Sequence, residues 1–376
     1  MHILHVMPSV SRSYGGPTQS LIGYAQAGRR AGLDLHVAAP RPPAPDEGWL
    51  RKQLPEATFH FFRGVGSGAF AVAPGLFAWL YRCGRAFDAV HTHGLFNPTS
   101  SGAARLGAMR GWPLVIRPFG TLSRYTFSHQ RARLKRGYFR FVDRPSVRQA
   151  GGLHFTTAAE RDEAARLDLD LGDRAFVVPP PFRGPYAQAE PKAPVPTALF
   201  LSRLHPKKNV SGLLSAWKRV LGVHPDAQLV VAGRGPADYE NKLRQQSAAL
   251  GLRDHVSFAG FVKGKEKQKL LASAHVFALP SHQENFGVAV LEAVAAGLPV
   301  VISPQVQLAS FIERHKLGRV AERDPVPLAE ALAEALGRSS LRQRCAKVGP
   351  ERVKEHFSPE AVSAQLRDLY AQVARS

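Results

Sequence analysis

The sequence has few cysteines and no long apolar run. Cys83 and Cys345 are its two cysteines, and they stand far apart among 376 residues. No disulfide framework is therefore indicated, and we expect a reducing, cytoplasmic compartment. No apolar segment reaches the roughly 20 residues that a membrane-spanning helix needs, and the N-terminus lacks the basic flank of a signal peptide. We expect a soluble protein, or one that binds peripherally to the inner face of the cell membrane.

Acidic residues are also scarce. Asp and Glu number 29 against 50 Lys and Arg, which gives a formal net charge of +21. Such a charge favours an anionic partner, either nucleic acid or acidic lipid, although an Ala/Arg/Pro-rich composition explains part of it. The sequence has neither a zinc-finger nor an RNA-recognition signature, and its basic residues are spread over both halves. We expect no nucleic acid as partner, and keep a basic nucleic-acid-binding protein as the alternative from another functional class.

Length and pattern predict two α/β domains. A 41.0 kDa chain is long for one core, and short apolar runs alternate with helical patterns such as residues 17–30 and 74–83. This alternation is typical of parallel sheets with helices on both faces. A proline-rich linker from Pro179 to Pro196 divides the pattern. The predicted strands are 3–7, 35–39, 58–62, 89–92, 114–117, 153–155 and 176–178 before the linker, and 198–201, 228–232, 256–258, 275–279 and 300–302 after it.

The most informative stretch is residues 280–297. A buried strand precedes a loop that contains Glu284, and an Ala-rich helix with Glu292 follows and is closed by Gly297. The backbone N–H groups of a helix start attract anions such as phosphate. Two carboxylates beside a phosphate site suit a ligand that is also rich in neutral hydroxyls, as a sugar is. An isolated pair of glutamates at this spacing would be read as ordinary helix residues.

Basic residues follow the first strand after the linker. Arg203 and Lys208 are predicted beyond the carboxyl end of that strand, where open α/β sheets bind ligands. A guanidinium and an ammonium at this place suit a diphosphate, although an ordinary basic loop is the alternative. The segment Gly233–Pro236, which follows the next strand, indicates by itself only a flexible turn.

The first half of the chain offers candidates at the ends of three strands. Gly15 and Gly16 allow close approach of a ligand to the backbone, and they are not part of a dinucleotide-binding Gly-x-Gly-x-x-Gly motif. His93 lies on the same side of its strand as His91, and two histidines without a nearby cysteine or acidic third ligand do not predict zinc. Arg117 fits either a contact to an anionic acceptor or a structural role at a strand end.

Together these motifs resemble the retaining glycosyltransferases of family 4, which have the GT-B fold. The resemblance rests on Glu284 and Glu292, spaced as in the family, and on the segment 295–301, which reads AAGLPVV. It implies two Rossmann-like domains that face each other across a cleft, with the C-terminal helix crossing back to the first. The implied domains are residues 1–183 with helix 359–376, which bind the acceptor, and residues 184–358, which bind the donor.

The resemblance also implies roles for the candidate residues. Glu284 and His93 are the implied catalytic residues, both close to the donor sugar, and Arg117 remains a possible acceptor contact. The implied donor-binding residues are Gly15, Gly16, Arg203, Lys208, Gly233, Asn285, Phe286, Gly287 and Glu292.

The implied reaction is metal-independent sugar transfer. A nucleoside-diphosphate (NDP) sugar is the co-substrate, a glycan or lipid-linked molecule is the acceptor, and no cofactor is expected. The combination of Tyr14-Gly15-Gly16-Pro17 with Arg117-Pro118-Phe119-Gly120 resembles the bacterial exopolysaccharide branch, including the hormogonium-polysaccharide type. An NDP-sugar epimerase or hydrolase on the same fold is the alternative within enzymes.

Residues 117–148 combine many arginines with aromatic residues and a single acidic residue, Asp143. Basic and aromatic side chains together are typical of a surface that contacts anionic lipid headgroups. A solvated helix face above core aromatics is the alternative.

Overall fold

The computed structural model describes residues 1–66, 70–128, 131–184 and 193–375. The chain forms two compact units, one of Met1–Phe182 with Phe357–Ser376 and the other of Arg183–His356. The boundaries expected from the sequence lie one or two residues from these positions. Residues 185–192 of the proline-rich linker lie outside the described residues.

The first unit contains a seven-stranded parallel sheet. Its central strands are buried on both faces, as β4 shows with all five residues buried, because helices cover the sheet on each side. The strands are β1 His2–Val6, β2 Asp34–Pro40, β3 Thr58–Phe62, β4 Ala89–His93, β5 Leu114–Arg117, β6 Gly152–Phe155 and β7 Ala175–Val177; the helices are α1 Gly16–Arg30, α2 Ala44–Gln53, α3 Pro74–Cys83, α4 Pro98–Arg110, α5 Arg124–Ser128, α6 Ala132–Tyr138, α7 Arg144–Gln149 and α8 Ala158–Ala165.

The second unit contains a six-stranded parallel sheet. Its strands are β8 Thr197–Leu201, β9 Gln228–Ala232, β10 Val256–Gly260, β11 Val276–Leu279, β12 Val300–Ile302 and β13 Gly318–Val320; its helices are α9 Val210–Val220, α10 Ala237–Ala249, α11 Gly264–Ser273, α12 Val288–Ala295, α13 Ala309–His315, α14 Pro325–Gly337 and α15 Ser339–Phe357. Every strand predicted from the sequence is present, with ends shifted by at most two residues. The short edge strand β13 was missed, because it has only three residues, of which one is buried and two are partly buried.

The strand orders are β3-β2-β1-β4-β5-β6-β7 and β10-β9-β8-β11-β12-β13. In each sheet the order reverses beside the first strand, between β1 and β4 and between β8 and β11. Loops diverge at such a switch point, and the crevice outside the carboxyl ends of these strands is where open α/β sheets bind ligands. The fold therefore places the loops after β8 and β11 side by side.

The last helix, α16 Pro359–Val373, completes the core of the first unit. It packs against α1, and its buried face includes the four residues that the sequence predicts, Val362, Leu366, Leu369 and Tyr370. Where the chain leaves this unit and where it re-enters, the backbone N–H of Phe182 donates to the carbonyl of Phe357 at 2.6 Å. The second unit is thus an insertion into the first.

Candidate active site

Lys208 and Glu284 meet at the switch point of the second unit. Lys208 ends a short 3₁₀ turn after β8, Glu284 lies in the loop after β11, and the Lys208 ammonium pairs with the Glu284 carboxylate. Their side chains are only 11% and 21% exposed. Since water is largely excluded, removing either partner would leave a charge that is poorly solvated. The structure thus brings together two predicted site residues that are 76 positions apart in the sequence.

Backbone hydrogen bonds fix the loop that carries Glu284. Its N–H donates to the carbonyl of Gln305 at 3.1 Å, and its carbonyl accepts from the N–H of Gln307 at 3.1 Å. In the same loop, the N–H of His282 donates to the carbonyl of Lys207 at 2.7 Å. The loop after β11 is therefore tied both to the loop after β12 and to the loop after β8, which limits the positions open to the carboxylate.

Gly287 joins this loop to helix α12. It caps the helix in the left-handed conformation with φ of +82°, which favours glycine, and a Cβ here would lie 3.3 Å from Cγ of Glu284. Phe286 is buried, and Oδ1 of Asn285 is buried without a hydrogen-bond partner among the described residues. The first-turn N–H groups of α12 begin directly after these residues, and such groups carry partial positive charge.

The second carboxylate is also paired with a lysine. Glu292, on α12, accepts a hydrogen bond of 2.6 Å from the ammonium of Lys267 on α11. Each glutamate therefore has its own cation from a neighbouring element. This pairing reduces the repulsion that two carboxylates would exert on a phosphate at the start of α12. Lys267 was missed in the sequence, where it is one of four lysines between residues 263 and 269.

Three positive charges gather in the loop after β8. Burial, followed by the nearby charges of Arg203, Lys207 and Lys208, lowers the pKa of His205. Arg203 is exposed, whereas Lys208 is held by Glu284. An exposed guanidinium and a fixed ammonium in one loop form a site with the electrostatics that a diphosphate requires.

Gly233 and Gly235 bring two loop backbones into contact. A Cβ at Gly233 would lie 1.8 Å from the carbonyl oxygen of Ser202, and one at Gly235 would lie 2.0 Å from that of Leu204. The N–H of Leu204 also donates to the carbonyl of Arg234 at 2.8 Å. The sequence by itself indicated only a flexible turn here, and the structure adds that the glycines allow this segment to pack closely on the loop that carries Arg203.

A cavity of about 180 Å³ lies beside this contact. Its lining includes Gly233, Arg234, Arg244 and Phe258, and the Arg244 guanidinium lies 4.6 Å from the centre of the Phe258 ring. The cavity combines a planar apolar surface with cationic donors.

In the first unit, Gly15 and Gly16 begin helix α1 after β1. Gly15 caps the helix with φ of +71°, and Gly16 is its first residue. A Cβ at either position would meet no described atom within 4 Å. Packing within the described residues therefore does not explain Gly16, which leaves close approach of a ligand as a prediction.

His93 ends β4 and is completely buried. Its Nε2 is 2.8 Å from Nδ1 of His5, its ring stacks on that of His91 with centroids 4.2 Å apart, and its Nδ1 has no partner among the described residues. The ring thus has no exposed surface in this unit on which a sugar can lie. The predicted catalytic role of His93 stays a prediction, and its burial favours a structural role over direct contact with a sugar.

His93 belongs to a buried network that joins the sheet to α16. Nδ1 of His91 is 2.8 Å from the hydroxyl of Tyr370, and Nδ1 of His154 is 3.3 Å from Nε2 of His91. Burial, together with nearby positive charges, lowers the pKa of all four histidines of the network, and that of His5 to about 3. The imidazoles are therefore neutral near pH 7.

His5 also changes the count of possible metal ligands. Nitrogen atoms of His5, His91 and His93 lie within 4.8 Å of one another, whereas only His91 and His93 are close to each other in the sequence. His5 was missed because it lies on another strand and is brought opposite His91 by the register of β1 and β4. The trio includes no carboxylate, and the positive charge of Arg117 acts on each of its members. These features disfavour a cation here.

Arg117 has a structural environment. It is 1% exposed, its guanidinium lies 4.6 Å from the ring of Tyr24 and 4.2 Å from that of Phe119, and it donates to the hydroxyl of Thr156 at 3.2 Å. Of the two interpretations left open by the sequence, this burial favours the strand-end arginine over the acceptor contact.

The basic stretch divides into core and surface. Phe127 and Phe139 are buried, as the alternative interpretation predicts, but Leu134 is 66% exposed and Phe141 is 74% exposed. Around these two apolar side chains in sequence, the arginines at 131, 133, 136 and 140 are exposed. Among the described residues, no helix has the length and apolar character that crossing a bilayer requires.

Comparison with models of protein families identifies the family of this chain. Residues 15–181 match the family model "Glycosyl transferase 4-like domain", and residues 187–352 match "Glycosyl transferases group 1". Together the two matches span most of the chain. The chain belongs to the GT-B glycosyltransferases.

Curated relatives of this glycosyltransferase act on different substrates. A phosphatidyl-myo-inositol mannosyltransferase of Mycobacterium leprae is 36% identical over 183 residues, which are 48% of this chain and 47% of the relative. A glycogen synthase of Mycobacterium tuberculosis is 30% identical over 194 residues, 51% and 46% of the two chains. The glycosyltransferase thus matches about half the length of these relatives.

Solved structures resemble the glycosyltransferase over its whole length. The Anabaena protein HepE in complex with UDP has a TM-score of 0.77 at 19% identity, covering 98% of this chain and 99% of that one. A sucrose-phosphate synthase of Thermosynechococcus elongatus has a TM-score of 0.75 at 19% identity and covers 100% of both chains. At these identities the likeness shows the fold alone, and it confirms the predicted GT-B class.

Proposed function

We propose that this glycosyltransferase moves a sugar from an NDP-sugar to a glycan or lipid-linked acceptor, with retention of the anomeric configuration and without a metal ion. The observation that carries the proposal is the Lys208–Glu284 pair at the switch point of the second unit. In this proposal Lys208 is the cation for the diphosphate and Glu284 is the carboxylate for sugar hydroxyls, in the loop that leads into α12.

The departing diphosphate gains negative charge as the bond to the sugar breaks. Lys208 has three N–H donors, so it can keep its contact with Glu284 while it donates to a phosphate oxygen. Arg203 and the backbone N–H groups of Asn285, Phe286 and Gly287 supply further positive potential at fixed positions. These groups fill the role that a divalent cation has in other transferases, which is why we expect no metal requirement.

The two glutamates hold different parts of the donor. Glu284, in the loop, contacts hydroxyls of the sugar, and Glu292, the fifth residue of α12, holds the hydroxyls of the ribose. The cavity beside Gly233 and Arg244 accommodates part of the base. As the diphosphate leaves, positive charge develops on the sugar, and a phosphate oxygen accepts the proton of the attacking acceptor hydroxyl. No side chain acts as a covalent nucleophile in this proposal.

The first unit is proposed to bind the acceptor. Gly15 and Gly16, which the family resemblance implies as donor-binding residues, leave the start of α1 without Cβ atoms that would hinder a phosphate. The exposed arginines around Leu134 and Phe141 hold the protein at an anionic leaflet, where a lipid-linked acceptor is presented. The resemblance to the exopolysaccharide branch supports a place in polysaccharide biosynthesis in the bacterial cytoplasm.

A product assay tests the proposal. The purified protein is incubated with UDP- and GDP-sugars, after thermal-shift screening has identified the nucleotide that raises the melting temperature. Transfer to a glycan or lipid acceptor, with the α-anomer retained in the NMR spectrum and full activity in EDTA, is the expected result. Release of free sugar at the same rate with and without acceptor would establish a hydrolase instead, and inversion at the anomeric carbon would refute retention.

A further inference from the structure

Two histidines and an aspartate converge at the amino ends of β1 and β2. His2 lies opposite Asp34 in the parallel register, and His36 follows Asp34 by two residues on the same strand. Because side chains alternate along a strand, all three residues share one face of the sheet. These residues lie near the amino ends of the strands, whereas Gly15 and His93 lie at the carboxyl ends of strands of the same sheet.

The three side chains have the spacing of metal ligands. Nε2 of His36 is 3.2 Å and Nδ1 of His2 is 2.6 Å from the same oxygen, Oδ2 of Asp34, and all three atoms lie within 4.8 Å of one another. Donor atoms around a tetrahedral zinc ion lie about 3.3 Å apart, since each is roughly 2.0–2.1 Å from the metal. The His36–Asp34 distance already fits, and the His2 side chain, 61% exposed, has room on its solvent side to move outward.

A neighbouring residue orients His36. Its Nδ1 is 3.1 Å from Nε2 of His60, the two rings stack with centroids 5.4 Å apart, and His60 packs on Trp79 with ring centroids 4.4 Å apart. Ligating histidines commonly use their second ring nitrogen in this way, which fixes the nitrogen that faces the metal. The His36 ring is also packed edge-on against Phe87. The innermost ligand is therefore held in place, while Asp34 and His2 are open to solvent.

The charge around His2, Asp34 and His36 is more favourable for a cation than the charge around the buried histidines of the same unit. Asp34 supplies one negative charge, and Asp88 accepts the backbone N–H of His2 at 2.7 Å. The trio of His5, His91 and His93 has no carboxylate and lies near Arg117. Two imidazoles and one carboxylate are a donor set that Zn²⁺ and other borderline divalent ions prefer over Mg²⁺ or Ca²⁺.

We propose that Nδ1 of His2, Nε2 of His36 and a carboxylate oxygen of Asp34 form a surface site for one Zn²⁺ ion, with water in the remaining position. The site joins β1 to β2 near their amino ends, whereas Gly15 and His93 lie at the carboxyl ends of strands of the same sheet. Its role is to stabilise the first unit, because an ion that binds only the folded chain raises the free energy of unfolding. It takes no part in the metal-independent transfer proposed above.

Titration of the metal-free protein with Co²⁺ tests the site, because Co²⁺ can take the place of Zn²⁺ and its complexes absorb visible light. We expect one Co²⁺ per chain with tetrahedral absorption bands, displacement by one Zn²⁺, and a higher melting temperature with Zn²⁺ than with EDTA. Loss of even an outer partner of a ligand lowers metal affinity by roughly 10–100-fold, so Asp34→Asn and His36→Gln should each weaken binding at least that much. His2→Gln tests the exposed ligand, where a folding defect is least expected.

The matched control is His356→Gln, since His356 is a partly exposed histidine beside His315 and Glu355. Its Co²⁺ affinity should equal that of the unaltered protein, and circular dichroism should show every variant folded. Unchanged binding in Asp34→Asn and His2→Gln would overturn the proposal, as would loss of binding in His356→Gln or in a His91→Gln variant alone. Transfer activity in EDTA tests the proposed function separately, because neither result depends on the other.

Discussion

Single side chains at the switch point of the second unit have two tasks each. Lys208 neutralises Glu284 in a site with little water, and it is the proposed contact of the departing phosphate. Glu284 is fixed by backbone hydrogen bonds to Gln305 and Gln307, and its carboxylate positions the lysine. Removing either side chain therefore changes both stability and chemistry, and a useful experiment must separate the two.

Glu284→Gln should lower kcat by roughly 100-fold or more, in the range seen when an electrostatic contact to a transition state is lost. NDP binding should change far less, because the glutamate is proposed to touch the sugar. Steady-state kinetics and nucleotide titration measure the two effects, with the exposed Glu351→Gln as control. An unchanged kcat in Glu284→Gln would remove the central claim.

Arg203→Ala and Lys208→Ala should each reduce kcat/KM by roughly tenfold to a hundredfold, since a hydrogen bond to a charged group contributes ~1.5–3 kcal/mol. Their stabilities should differ. Arg203 is exposed, so its loss should leave the melting temperature unchanged. Lys208→Ala leaves Glu284 without its cation and should lower the melting temperature. The exposed Lys218→Ala on α9 is the control. Equal melting temperatures for the Arg203 and Lys208 variants would contradict the partly buried pair.

At the scale of elements, the loops after β8 and β9 act as one piece. The Cβ positions of Gly233 and Gly235 are filled by carbonyl oxygens of the neighbouring loop. Any side chain there forces the loops apart, and the loop after β8 carries Arg203 and Lys208. The geometry of the basic site therefore depends on two residues that carry no functional group.

Gly235→Ala should destabilise the protein by about 1–3 kcal/mol, the usual cost of overpacking, and should also raise the KM for the donor. Chemical denaturation and kinetics measure the two effects. Gly48→Ala in α2 is the control, because its Cβ would meet no described atom within 4 Å; it should stabilise the helix slightly. Wild-type stability in Gly235→Ala would contradict the close approach.

The elements themselves were largely predictable from local sequence. Apolar runs predict the strands because both sheet faces are covered, and the face of α16 follows from the helical spacing of Val362, Leu366, Leu369 and Tyr370. Partnerships across the sheet were not predictable. Lys267 was recognised only through its contact with Glu292, and His5 only through the strand register. The burial of His93 was not predictable for the same reason, since the local sequence of a strand end does not indicate whether neighbouring elements cover its histidine.

The molecule as a whole should lose stability in mild acid. His5, His91, His93 and His154 have pKa values lowered mainly by burial, so below the ordinary value of 6.5 the unfolded chain binds more protons than the folded one. The free energy of unfolding therefore decreases as the pH decreases, by up to about 1.4 kcal/mol per pH unit for each histidine. Asp143, whose pKa burial raises to about 6, opposes this change. Urea unfolding at pH 7.5 and 5.5 measures the balance; equal midpoints would contradict four neutral buried imidazoles.

The net charge of +21 should appear in binding to membranes. We expect co-sedimentation with anionic but not neutral liposomes, weakening as salt rises, because each Lys or Arg near an anionic surface contributes about 1 kcal/mol. Charge reversal at Arg131, Arg133 and Arg140 should release the protein, and Phe141→Ser should weaken binding without changing the charge. Hydrolysis of the NDP-sugar should survive these changes. Salt-sensitive binding to DNA and RNA equal to that on anionic liposomes would indicate a nonspecific polycation.

The insertion of the second unit between Phe182 and Phe357 determines the order in which the molecule can be completed during synthesis. All residues of the second sheet leave the ribosome before α16, whose side chains fill one core of the first unit. The sheet begun first is thus the one finished last, and its apolar surface facing α16 stays uncovered throughout translation of residues 183–356. A released chain that is truncated before Pro359 should accordingly show a protease-resistant second unit and a first unit that recruits chaperones.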